Sequence, residues 1–192
     1  THLINNGYDA DLFHPVRQPS PRFRIVYAGR MVSHYYGTNY QDPTLLFDAI
    51  ARLDDDVRSV LECHFYVDRA SRQMLEQMLR RRTDDAAHFC HMHDYVPHEA
   101  MPDVLHDASV VLLLSSPSVH GVLTTKLFEA IAVDKPILCV TSDEGDMAHL
   151  IAQMRCGVSA QRVDDVADFL RQRFTQWKQL GFTHQLSTLE TV

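Results

Sequence analysis

The stretch SVVLLLSSPSVHGVLTTKLFEAIAVDKPILCV, Ser109 to Val140, decides the fold. It opens with Val110 to Leu114, a run that is apolar on both faces. Such a run suits a central parallel strand covered by helices on either side, because a half-exposed antiparallel strand would alternate. Ser115, Ser116, Pro117 and Ser118 break the pattern, and Gly121 allows a sharp turn. Thr124 or Thr125 can then cap a helix with Leu127, Phe128, Ala130 and Ile131 on its inner face. Asp134-Lys135-Pro136 ends that helix, and Ile137 to Val140 forms the next strand.

The polar groups of this unit suggest a chemistry. Free N–H groups at a helix start favour an anion, and a turn at a strand's carboxyl end delivers them to the crevice where open α/β sheets bind ligands. Lys126 stands in the first helical turn, the wrong end for a cation in the helix dipole, and a nearby phosphate would account for it. Glu129, one turn on, can accept hydrogen bonds from sugar hydroxyls. The plain alternative is a solvated lysine and a surface glutamate on an ordinary amphipathic helix.

Earlier in the chain, Phe23 to Ala28 alternates as a first strand, closed by Gly29 and Arg30. The guanidinium stands at the strand's carboxyl end, where it can grip a phosphate bidentately or pair with a surface carboxylate. A helix from Asp42 or Pro43 carries Leu45, Leu46, Ala49, Ile50 and Leu53 at helical spacing. Asp54-Asp55-Asp56 reads as a solvated turn, since three consecutive carboxylates do not easily converge on a metal. A strand over Val60 to Val67, a helix over Ser71 to Arg82 and a strand over His88 to Met92 follow. Arg80-Arg81-Arg82 suits a helix C-terminus. His91 and His93 share a face if that strand continues, but spacing marks no third ligand, so they read as ordinary strand histidines.

A short helix over Glu99 to Asp107 leads into the opening stretch. After it come a helix with Met147, Leu150, Ile151 and Met154 inward, a strand over Gly157 to Ala160, and a helix from Asp164 or Asp165 through Trp177. About six strands alternating with about six helices call for an α/β, Rossmann-like three-layer α/β/α fold with a parallel sheet. Every polar residue singled out as a ligand group falls at a strand's carboxyl end or at the helix start after it.

Bulk properties narrow the function. The 192 residues suffice for one domain with a sizeable core. A formal charge of −7 argues against a nucleic-acid groove, which needs clustered cations. The four cysteines, Cys63, Cys90, Cys139 and Cys156, lack paired metal-ligand spacing and read as reduced, buried thiols of a cytoplasmic protein. No run approaches the ~18 apolar residues that span a membrane.

With these residues in view, the sequence resembles the nucleotide-sugar-binding C-terminal half of GT-B glycosyltransferases of the large retaining, family 4-like group. KLFEAIAVDKPIL is similar to that group's glutamate-bearing helix and following strand, and THLINNGYDADLFHP to the segment after its interdomain linker. The resemblance implies an interdomain linker over 1–22, a nucleotide-sugar-binding domain over 23–178 and a C-terminal tail over 179–192, whose helix crosses to the other domain. It implies that Gly29 and Arg30 contact a diphosphate, that Glu129 binds the ribose, and that Val96 lies against the base. Two departures stand out. The first of the family's paired glutamates falls on Gly121, and the loop lysine is absent at Tyr36-Gly37, so that Lys126 supplies the positive charge.

The expectation is therefore a hexosyltransferase-type enzyme that uses a UDP-, GDP- or ADP-sugar, with no cofactor and no metal, in cell-surface glycan synthesis. Arg30 and Lys126 hold the leaving diphosphate, the Thr124 and Thr125 backbone the phosphate, and Gly29, Val96 and Glu129 the rest of the donor. Its partners would be the nucleotide sugar and an acceptor-binding N-terminal domain, with no nucleic acid. Peripheral membrane association would run through that domain, at the inner face of the membrane. The rivals are a non-catalytic Rossmann-like module that binds a nucleotide or a partner, and a nucleotide-sugar epimerase.

Overall fold

The computed structural model describes residues 6–31, 41–117 and 121–185. In chain order the elements are β1 (Phe23–Ala28), α1 (Thr44–Ile50), α2 (Asp55–Arg58), β2 (Leu61–Tyr66), α3 (Arg69–Arg80), α4 (Ala86–Phe89) and β3 (Cys90–His93). A 3-10 turn (His98–Ala100) leads into α5 (Met101–His106), β4 (Val110–Leu114) and α6 (Thr125–Ala132). Then follow β5 (Ile137–Val140), α7 (Asp146–Met154), β6 (Gly157–Ala160) and α8 (Val163–Leu180). The six strands pair in parallel in the order β3-β2-β1-β4-β5-β6. The strand order reverses between β1 and β4, which opens a crevice at their carboxyl ends.

All five residues of β4 are buried, as a strand covered on both faces requires. One face of the sheet packs under α1, α3 and α8 through Leu46, Leu75 and Phe174, with Phe23, Cys63 and Leu112 beneath them. The other packs under α5, α6 and α7 through Leu105, Leu127 and Ile151. Of residues 6–22, expected as a linker, Leu12 and Phe13 pack into this second layer, whereas the Ser20 carbonyl accepts from Trp177 of α8 at 3.1 Å. Phe13 is only 2% exposed, and the Asn6 side-chain amide donates to the Leu123 carbonyl at 2.6 Å.

Several expected boundaries shift for local reasons. Asp55 and Asp56 open a helical turn, because Asp54 takes the extended conformation of an N-cap and acidic groups favour a helix start. α3 starts before Ser71, because the Asp68 carboxylate accepts the Ser71 N–H and caps the helix. Arg82 does not serve the end of α3; its guanidinium is clamped between Asp48 and Asp84. His88 and Phe89 belong to the turn of α4, so β3 starts at Cys90 and extends through His93. Met154 is 46% exposed, since α7 ends there and Arg155 adopts the left-handed conformation. α8 runs three residues past Trp177, until Gly181 turns it at φ 79°. The chain then folds back, and the buried Gln185 amide donates to the Ala130 and Lys135 carbonyls at 3.0 and 2.8 Å.

Cys63, Cys139 and Cys156 are buried, and Cys90 is half-buried at the start of β3. Burial pushes their thiols up, to about 12 for Cys90 and Cys139 and about 11 for Cys156, so they stay protonated at neutral pH.

Candidate functional site

A hollow of about 250 Å³ lies at the switch point and is lined by groups from three parts of the chain. Gly29 and Arg30 come from the end of β1, Thr125, Lys126 and Glu129 from the start of α6, and Tyr95 and His98 from the segment after β3. Met101 and Leu105 of α5, with Val111 and Leu113 of β4, make its apolar wall. An apolar lining with a few convergent polar groups is the usual composition of a small-molecule site.

Gly29 and Lys126 fit one another. At φ 136° the glycine occupies backbone space that side chains rarely adopt, and an added Cβ would overlap Lys126 Cε and stand 2.9 Å from its Nζ. The lysine tip thus lies directly over the Gly29 backbone, which only a residue without a side chain permits. Burial lowers the Lys126 pKa, while the Glu129 charge works to raise it. Among the described residues, its neighbours leave the ammonium incompletely compensated, and an anion in the hollow would complete it.

Glu129 is itself only 9% exposed. Burial raises its pKa, against the opposing pull of His98 and Lys126. The His98 Nδ1 lies 3.8 Å from its carboxylate, and the His98 ring in turn meets Phe13 at 5.2 Å between centroids. A carboxyl that binds more protons folded than unfolded costs stability as pH rises through the window between its two pKa values. Glu129→Gln should therefore raise the thermal midpoint of the unliganded chain at about pH 8, by about 2 °C. The gain should vanish once pH falls below the ordinary glutamate value of 4.5. Melting curves of the two proteins across that range check this. A lower midpoint for Gln at neutral pH would show that His98 and Lys126 outweigh the burial cost.

Arg30 is 78% exposed at its side chain and pairs with Asp68 at 3.1 Å. The surface-carboxylate alternative thus describes its resting contact, but the residue still lines the hollow. An exposed pair of this kind contributes little, so a phosphate can recruit the guanidinium at small cost. The Tyr27 hydroxyl donates to the Arg30 carbonyl at 2.9 Å and fixes the turn.

Thr124 occupies the N-cap of α6 with extended backbone, but its side chain makes no capping bond. It lines a smaller recess on the other side of Lys126, next to Tyr27 and Met147. The first N–H groups of a helix lack intrahelical acceptors, and those of α6 begin at the hollow's rim. Val96 is half-buried but outside the lining, where Tyr95 and His98 stand instead. Gly121 is exposed at φ 72°, with open space around it. The Tyr36-Gly37 loop, where a lysine is missing, lies outside the described residues.

Tyr95, His98 and Asp68 were not singled out in the sequence. For Asp68 a signal existed: an aspartate three residues before Ser71 at a helix start is a capping pattern. For Tyr95 and His98 no local pattern marks the role, which arises only when β3 carries them to the crevice.

Residues 22–175 match the family model described as glycosyl transferases group 1. No curated protein matches by sequence. Among solved structures, sucrose-phosphate synthase from Thermosynechococcus elongatus superimposes with a TM-score of 0.70 at 17% identity, over 94% of this chain and 45% of that one. Anabaena HepE in complex with UDP gives 0.68 at 13% identity, over 93% of this chain and 49% of that one. The C-terminal domain of LpcC, a glycosyl transferase group 1 family protein from Francisella tularensis, gives 0.60 at 17% identity, over 91% and 94%. At these identities the likeness shows the fold. The chain spans about half the length of the first two structures, and nearly all of the third.

Proposed function

This chain belongs to the group 1 glycosyltransferases and has the Rossmann-like half of a GT-B fold, and on that premise we propose that the switch-point hollow takes a nucleotide-sugar donor. The observation that carries the reading is the Lys126 ammonium lying over the Gly29 backbone, with Arg30 and Glu129 on the same hollow. Lys126, the N–H groups at the start of α6 and a recruited Arg30 bind the diphosphate. Glu129 accepts from the ribose hydroxyls. Tyr95, at 64% exposure, is free to stack on the base that was expected at Val96.

The reaction is hexosyl transfer. The bond between the anomeric carbon and the diphosphate oxygen breaks, one from that carbon to an acceptor hydroxyl oxygen forms, and the hydroxyl proton passes to the departing diphosphate. Negative charge grows on the departing diphosphate, where Arg30 and Lys126 neutralise it. These groups suffice for the leaving-group side without a metal. The acceptor side comes from a second, N-terminal domain, through which the enzyme meets a cell-surface glycan acceptor at the inner face of the membrane. Retention of anomeric configuration is part of the same reading. No helix among the described residues is long and apolar enough to cross a membrane.

Calorimetric titration of this chain with UDP-, GDP- and ADP-glucose tests the proposal. One of the three should bind, and Glu129→Ala should weaken it by about tenfold, the loss of one charge-assisted hydrogen bond at the low end of its range. Binding of none of them, or equal binding by the variant, would remove the ribose assignment. A non-catalytic nucleotide-binding module would show the same binding, but the full-length enzyme would show no donor turnover.

A further inference from the structure

The layer that covers β4 and β5 stops short of β2 and β3. Its buried cluster includes Val26, Val111, Leu113, Ile137 and Cys139 from the sheet but nothing from β3, and only Tyr66 of β2 packs against its edge. The face left there is polar and largely imidazole. His64 stacks between neighbours on β3, its ring centroid 4.9 Å from that of His91 and 5.0 Å from that of His93. The parallel register sets His64 beside His91 and Tyr66 beside His93, so these rings meet by construction of the sheet.

The ring nitrogens of His64 are both engaged. Nε2 lies 3.0 Å from the Glu62 carboxylate, and Nδ1 lies 2.9 Å from His93 Nε2. Arg24 holds the same carboxylate at 3.1 Å. Burial opposes the ionisation of Glu62, but hydrogen bonds from His64 and Arg24 overcome it and keep its pKa below the usual value.

We propose that Glu62, His64 and His91 form a binding site for a divalent transition ion of the zinc type, which clips the edge strand β3 to β2. Their ligating atoms lie within 4.8 Å of one another. Tetrahedral zinc with bonds near 2.0–2.1 Å sets its ligands about 3.3 Å apart. His64 and Glu62 are already at that spacing, and the exposed His91 closes the remainder by turning about its own side-chain torsions. Water fills the fourth position.

In the metal-free chain, His64 donates from Nε2 to Glu62 and accepts at Nδ1 from His93. With the ion on His64 Nε2, the His64 proton sits on Nδ1 and is donated to His93 Nε2, whose own proton moves to Nδ1. Each ring keeps one proton, and the ion shares the Glu62 carboxylate with the guanidiniums of Arg24 and Arg22, at 3.1 and 3.4 Å. His93 then fixes the tautomer and orientation of the ligand, the usual part of a group behind a metal-bound histidine. The site is outside the donor hollow and shares no lining residue with it. Spacing did not reveal it, because two of the three ligands come from a strand that lies almost thirty positions upstream of His91.

Titrating the untagged 192-residue chain with Zn²⁺ by calorimetry, and with Co²⁺ by visible absorption, tests the site. One ion per chain should bind, with the d–d bands of a tetrahedral or five-coordinate cobalt, and the thermal midpoint should rise with ion concentration. His64→Ala should abolish binding, and His91→Ala should weaken it by about tenfold or more. His149→Ala, on α7, should leave it unchanged. Because His91 is exposed, its alanine variant folds and keeps the test decisive. No saturable Zn²⁺ binding by the parent chain, or binding undiminished in His91→Ala, overturns the proposal.

Discussion

Replacing Gly157 by alanine is expected to cost about 3 kcal/mol or more, the upper range for forcing extra atoms into a packed interior. Gly157 opens β6 in register with Ile137 of β5. A Cβ there would overlap the Ile137 carbonyl oxygen and stand 2.7 Å from its carbon and 2.8 Å from its nitrogen. These are backbone atoms of a strand buried on both faces, so no side-chain rotation relieves the clash. The Ile137 N–H also donates to the Cys156 carbonyl at 2.9 Å, and pushing the strands apart would strain that bond as well. For a chain of this size the loss corresponds to a fall of about 6–12 °C in thermal midpoint. Differential scanning calorimetry of the variant reads it. A midpoint within a degree of the parent would mean that β6 can shift along β5, contrary to the packing described.

The second large effect concerns ligand binding. Lys126→Ala should weaken nucleotide-diphosphate binding by about one to two decades, since a charge-assisted hydrogen bond contributes about 1.5–3 kcal/mol. The same substitution should leave the fold intact or slightly stabilise it. Burial penalises the Lys126 charge in the unliganded state, as its lowered pKa indicates, and alanine removes that penalty. Loss of affinity without loss of stability is the signature of a group kept for a ligand. Isothermal titration with the preferred donor, paired with melting curves, reads both. Equal affinity in the variant would mean that the diphosphate rests on Arg30 and the α6 N-terminus alone.

Much of the fold was legible because its decisive signals are local. Phe23–Ala28, Val110–Leu114, Ile137–Val140 and Gly157–Ala160 are strands over the ranges read from the sequence, each an apolar or alternating run closed by a turn residue. β3 was harder. Its histidines carry no apolar signature, and the preceding His88 and Phe89 are drawn into a helical turn, which the sequence does not announce. The acidic run at Asp54 was read by charge alone, whereas its backbone serves as a cap and first turn.

The site divides in the same way. Arg30, Lys126 and Glu129 could be singled out because each stands at a strand end or helix start, a position visible in one dimension. What brings Lys126 over Gly29 is the closure of the β1–β4 switch point, and nothing near either residue encodes it. His98, in the turn after β3, reaches Glu129 although α5 and β4 lie between them in the chain, and Val96 misses the hollow while Tyr95 before it and His98 two residues after it line the wall. The Glu62, His64 and His91 cluster escaped for the same reason. Sheet register assembled it, and the register pairs residues far apart in the chain.

The most direct measurement is a crystal structure of this chain with the nucleoside diphosphate that it prefers. The diphosphate should lie against Gly29, within charge-assisted hydrogen-bonding reach (about 2.7–2.9 Å) of Lys126 Nζ, with the ribose hydroxyls on the Glu129 carboxylate. Density for the nucleotide anywhere other than the hollow between β1, α6 and the segment after β3, or a Lys126 ammonium turned away from the phosphates, would contradict the account.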